Sequence, residues 1–192
     1  MLGGMRKRVF LLGAISILLL SCSKGGGTET VCAEDYWDGE VGTCLPDKWI
    51  VVDSETLLQR GVPPETIVAF QAEQAVSGQF PTVAVTREVL SQEVSAADYS
   101  SASIRSVSVL PGYEQVDSRD IRIDDAKVSL HIFSAQPDTG EPRRRYYQVS
   151  LPKGQKGYTI TATTPVAIED AMEKQVLAII EGFTLTEPVK KE

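Results

Sequence analysis

This chain has one histidine, three cysteines and no apolar run of the roughly 20 residues that a bilayer crossing needs. A single imidazole, His131, excludes multi-histidine metal sites and makes any Ser-His-Asp arrangement rest on that one side chain, and no Gly-x-Ser-x-Gly accompanies it. Phosphate-binding glycine loops and zinc-ligand spacings are also missing from the sequence. Basic charge is scarce, with 19 Lys and Arg against 26 Asp and Glu. Such a balance disfavours nucleic-acid binding and broad polybasic contact with anionic lipid. Hydrolase and nucleotide chemistry therefore have little support, and neither a metal nor another cofactor is expected.

The front of the chain carries an address. Arg6, Lys7 and Arg8 precede the apolar stretch Val9–Leu20, which ends on small Ser21 before Cys22. That is the layout of an export signal, and Met5 fits as the start because the basic cluster follows it directly. Leu19, Leu20, Ser21 and Cys22 resemble the lipobox of bacterial lipoprotein signals. The resemblance implies diacylglycerol on the Cys22 sulfur, cleavage before it, and a mature protein held by its acyl chains on the extracytoplasmic side of the cell membrane or outer membrane. An ordinary signal peptide or a buried apolar helix is the alternative. Cleavage removes three bases and no acids, leaving 16 basic against 26 acidic side chains and a net charge of −10. Residues 1–21 are thus read as signal and 22–30 as the lipidated cysteine with a glycine-rich tether.

Assigning Cys22 to lipid leaves Cys32 and Cys44 as a pair in an oxidising compartment. A three-residue loop, Trp37, Asp38 and Gly39, would set Tyr36 opposite Glu40 and Cys32 opposite Cys44 in a disulfide-closed hairpin over 31–44. Free or metal-binding thiols are the alternative. Glu34, Asp35, Asp38 and Glu40 crowd this ribbon, but their spacing matches no EF-hand loop, so a solvated acidic turn is weighed against a calcium site. Tyr36 and Trp37 are candidate partner contacts, with packing of Trp37 back on the domain as the other reading.

The remaining residues, 45–187, are enough for one core, with a charged tail at 188–192. Strands are expected over Trp49–Val52, Thr66–Ala72 and Thr82–Leu90, the last with Val83, Val85 and Val89 on one side. A short helix over Ser54–Arg60 is opened by Ser54, and a second is capped by Ser95 with Asp98 in the capping-box position. From Tyr113 to Thr164 four strands alternate, joined by turns at Asp124–Asp125, Pro137–Gly140 and Pro152–Gly157. Val128, Leu130 and Ile132 share one face, and Ser129, His131 and Phe133 the other, the pattern of a sheet packed on one side. A helix starting at Thr164 and Pro165 and ending at Gly182 presents Ile168, Met172, Val176, Ile179, Ile180 and Phe183 as a stripe that covers the sheet.

This order of elements resembles the PsbP-like superfamily, which includes DcrB-type bacterial envelope lipoproteins. The matching residues are Pro46 and Trp49, Tyr99 in the middle helix, Arg145, Tyr146 and Tyr147, Tyr158 to Thr164, and Gly182 with Phe183. The resemblance spans about Leu45 to Leu185. It implies an α+β fold with an antiparallel sheet of about six strands, helices on its two faces, and a non-enzymatic accessory or assembly role through an envelope protein partner. No catalytic signature comes with it. A small-molecule or saccharide module would instead use the mixed sheet face around His131, Tyr146, Gln148 and Thr161. Arg143, Arg144 and Arg145 form the one basic cluster, read as an edge-protecting strand start or as an anion or lipid-headgroup contact.

Overall fold

The computed structural model describes residues 32–138 and 140–188; the signal, the lipobox and the tether lie outside the described residues. The chain runs β1 (Glu34–Trp37), β2 (Gly42–Leu45), β3 (Trp49–Asp53), α1 (Ser54–Gln59), β4 (Thr66–Ala72), β5 (Thr82–Val89), α2 (Ala96–Val107), β6 (Glu114–Ile123), β7 (Ala126–Ala135), β8 (Arg144–Lys153), β9 (Lys156–Pro165) and α3 (Asp170–Glu181). Strands β3 to β9 form one seven-stranded sheet in the order β3-β4-β5-β9-β8-β7-β6, antiparallel throughout, and β1 and β2 form a separate ribbon. The chain finishes β5, crosses the sheet as α2, enters at the far edge as β6, and returns by hairpins until β9 closes against β5.

One face of this sheet is apolar and holds the main core. Val83, Val85, Tyr147, Val149, Ile160 and Ala162 are all fully buried there, together with Val176, Ile179 and Ile180 of α3. Alternation along each strand dictates this face, and the helical spacing on α3 dictates the cover. Each such side chain contributes roughly 1.5–3 kcal/mol by leaving water. The ribbon packs on the same side: Val41 and Leu45 join the core, Gly42 and Thr184 exchange both backbone hydrogen bonds, and the Thr43 hydroxyl donates to the Ile179 carbonyl at 2.5 Å.

The opposite face carries α1 and α2. Leu57 of α1 packs with Val52 and Ala69. Helix α2 begins as its sequence requires, with the Ser95 hydroxyl accepting from the Asp98 amide at 3.1 Å and donating to the Asp98 carboxylate at 2.6 Å. Tyr99 then lies on Gly157, where an added Cβ would stand 2.4 Å from the ring. Gly157 is required because Tyr99 occupies the space a side chain would take.

Several local expectations are corrected. The sheet has seven strands, since β3, β4 and β5 all join the four-stranded meander. Asp53, not Ser54, caps α1, its carboxylate accepting from the Thr56 amide at 2.8 Å. Val89 is exposed, because it pairs with Lys156 at the hairpin end beyond the core. Helix α3 starts at Asp170 rather than Thr164, because β9 runs on to pair Pro165 with Arg144. The ribbon register also differs: Trp37 faces Gly42 and Asp35 faces Cys44. Asp38 causes this shift, its Oδ1 accepting from the amides of Glu40 and Val41 at 2.8 Å each, which builds a loop of Asp38 to Val41. Cys32 lies just beyond the paired residues and is still disulfide-bonded to Cys44, with their Cα atoms 5.3 Å apart.

Candidate functional site

On the mixed face, His131 sits mid-strand in β7 and is 1% exposed. Its Nε2 is 2.9 Å from the Tyr113 hydroxyl, and its ring stacks on Phe133 at 5.2 Å. Phe133 stacks in turn on Tyr146 at 5.0 Å. Burial holds the imidazole below its ordinary pKa, so it is a neutral member of an aromatic row. Tyr146 closes that row half-buried.

Gln148 and Thr161 are brought together elsewhere on the face. The Gln148 amide donates to the Thr161 hydroxyl at 3.3 Å and accepts from Ser103 of α2 at 3.4 Å. The Ser150 hydroxyl donates to Ser103 at 2.7 Å, so Ser103 docks α2 on β8. Beside α2 an open groove of about 420 Å³ is lined by Thr86, Glu88, Tyr99, Gln148, Thr159 and Thr161, among others. The Tyr99 hydroxyl donates to Glu88 at 2.7 Å, and burial, with that carboxylate adding to it, pushes its pKa up to about 12. The structure therefore splits the four predicted mixed-face residues: two line a groove and two are stacked away from it.

At the ribbon, Tyr36 packs edge-on against Phe70 with ring centres 5.2 Å apart, and its hydroxyl donates to Asp38 at 3.3 Å. Burial, followed by the Asp38 charge, raises its pKa to about 12. Trp37 lies on Gly42, where an added Cβ would be 2.8 Å from the indole. Trp37 also lines a hollow of about 460 Å³ with Glu40, Lys153, Lys156, Tyr158 and Leu185.

Glu40 is the residue that sequence reasoning placed only among ribbon acids. Its carboxylate accepts from Arg87 at 2.5 Å, Lys156 at 2.9 Å and Tyr158 at 2.7 Å. Burial opposes its ionisation, but the bonds from Tyr158 and Lys156 and the charge of Arg87 outweigh it and hold the carboxyl below its usual range. Asp124 does similar work at the other end of the ribbon seam, accepting from the Thr184 hydroxyl at 2.5 Å and the Leu185 amide at 2.9 Å. No local motif marks either residue, since their partners are remote in sequence. The arginines are divided: Arg143 bonds Ser134 at 2.6 Å, the Gly112 carbonyl at 3.0 Å and Glu114 at 3.0 Å, while Arg144 pairs with Glu141 at 2.7 Å.

No protein-family model matches the chain, and neither does any curated protein sequence. Solved structures do match. Cyanobacterial PsbP from Synechocystis aligns with a TM-score of 0.54 at 15% identity, over 84% of this chain and 96% of that one. LpqN of Mycobacterium tuberculosis, described as involved in cell envelope biogenesis, aligns with a TM-score of 0.53 at 13% identity, over 80% of this chain and 90% of its own. A Pseudomonas aeruginosa protein of unknown function aligns with a TM-score of 0.50 at 16% identity, over 82% and 98% of the two chains. At such identities the likeness speaks for architecture alone. The chain has the PsbP-like fold, a seven-stranded antiparallel sheet with helices on both faces.

Proposed function

We propose that this is a lipid-anchored, non-catalytic protein of the cell envelope that acts by binding another protein, in an accessory or assembly role. The observation that carries the reading is α2 seated across the mixed face, where Ser103 and Tyr99 hold it to β8 and β9. The one imidazole is buried and stacked on Phe133, and an open groove runs beside the helix. The lipobox ending at Cys22 and the tether behind it supply the address, and LpqN, of the same architecture, is described as an envelope biogenesis protein. Cys22→Ala in the intact precursor tests the anchor: loss of fatty-acid labelling and release from membranes are expected, and continued labelling would refute it. Capture from crosslinked native membranes tests the binding role.

A second reading, a saccharide or small-molecule module, is favoured by the concentration of hydroxyls from Thr86, Thr159, Thr161 and Ser103 along the α2 groove. Titration with soluble glycans, observed through the side-chain amide of Gln148, distinguishes it from the first.

A further inference from the structure

The two edges of the sheet are built differently. Strand β6 is guarded: a bulge interrupts its pairing between Gln115 and Asp117, and Asp117, Arg119, Asp120 and Arg122 line it. Two of these charges are tied to Glu181 and Lys127. Bulges and charges are the usual means of stopping another strand from adding to an edge. Strand β3 has no bulge, and its one charge is Asp53 at the end of the strand. Its run Trp49-Ile50-Val51-Val52 is uncharged and pairs with β4 without interruption, and Ile50 and Val51 are 42% and 41% exposed.

The hydrogen-bond parity of β3 can be read from its neighbours. The Glu73 amide donates to the Lys48 carbonyl, and the Ala72 amide donates the other way, to Pro81 beside β5. Bonding partners alternate along an antiparallel strand, so Ile50 and Val52 bond to β4. The N–H and C=O of Val51, the Trp49 carbonyl and the Asp53 amide are then left pointing outward from the sheet. Here an incoming strand would find both backbone partners and apolar side chains.

The charges at the ends of β3 select the occupant. Asp47, Asp53, Glu55 and Glu73 are exposed acids there, against the single base Lys48. A second copy of this chain, paired about Val51, would set Asp47 opposite Glu55 twice, and opposed like charges are unfavourable. We propose that β3 is a docking edge on which a partner protein adds an extended apolar segment flanked by Lys or Arg. This rests on the protein-binding reading and names the partner's chemistry.

The probes are two synthetic peptides, Lys-Arg-Val-Thr-Val-Thr-Val-Arg-Lys and the same core flanked by glutamates, titrated against the mature lipidated chain in detergent micelles. The basic peptide is expected to bind about tenfold more tightly or better, and to slow exchange of the Val51 and Asp53 amides. Val51→Pro removes an outward donor while leaving the bonds to β4, and should weaken binding by about tenfold. Val51→Lys, which keeps the backbone, guards the edge by charge and should do the same. Equal binding of both peptides, binding unchanged in both variants, or protection of β3 by self-association instead would each overturn the proposal. If these fail while a partner is still captured from native membranes, the docking edge is wrong and the binding role stands; absence of any captured partner removes the binding role itself.

Discussion

The Tyr158 hydroxyl donates to the Glu40 carboxylate across 2.7 Å, and this bond, with those from Lys156 and Arg87, fastens the disulfide ribbon to the sheet. Three donors from two separate strands, β5 and β9, meet at one carboxylate. The ribbon is held to the domain by directed polar contacts as well as by Val41 and Leu45 in the core.

Glu40→Gln keeps the shape and removes the charge, and should cost about 2 kcal/mol in urea unfolding, the scale of hydrogen bonds to a charged group. The folded carboxyl titrates below its ordinary value of 4.5. Its stabilisation is therefore complete above that value and is lost as pH falls through the depressed folded pKa. The acid limb of the stability profile should be shallower in Glu40→Gln than in the parent.

Gly157→Ala should destabilise by roughly 1–3 kcal/mol, because the new Cβ overlaps the Tyr99 ring and α2 must shift. Pairing it with Tyr99→Ala measures the coupling. A double variant no worse than Tyr99→Ala alone locates the cost in that contact.

His131 makes a pH prediction of the same sign in a higher window. Burial lowers its folded pKa beneath 6.5, so the unfolded chain takes up the proton first. Stability should fall as pH drops from about 7 toward 5, and His131→Gln should flatten that slope. Tyr113→Phe removes the hydroxyl facing Nε2 and should cost about 1 kcal/mol without abolishing the slope.

Denatured, unreduced mature protein should show no titratable thiol, and two reactive thiols would contradict the Cys32 to Cys44 bond. Cys32→Ala with Cys44→Ala should cost roughly 3 kcal/mol, the scale for closing a loop of this length.

How much of this was legible in the sequence depends on where each signal resides. In β7 to β9 the period-two alternation recurs over ten residues per strand, so the buried set Val128, Leu130, Tyr147, Val149, Ile160 and Ala162 reads directly. Ser95 and Asp98 likewise carry their own geometry. The ribbon register did not read correctly, because the choice between a three- and a four-residue loop turned on the Asp38 carboxylate reaching two amides. The start of α3 was set by the length of β8, which obliges β9 to continue to Pro165. Of the candidate site, the Gln148 and Thr161 contact follows from cross-strand pairing, whereas Glu40 needed Arg87, Lys156 and Tyr158 to be brought to it by the fold. The unguarded character of β3 appears only once strand order identifies it as an edge.

Crosslinking and mass spectrometry on native membranes bearing the untagged protein test the central claim most directly. The account predicts one reproducible envelope protein crosslinked to the domain, and its loss when Cys22→Ala releases the chain from the membrane. Repeated recovery of the protein with no crosslinked partner would contradict it.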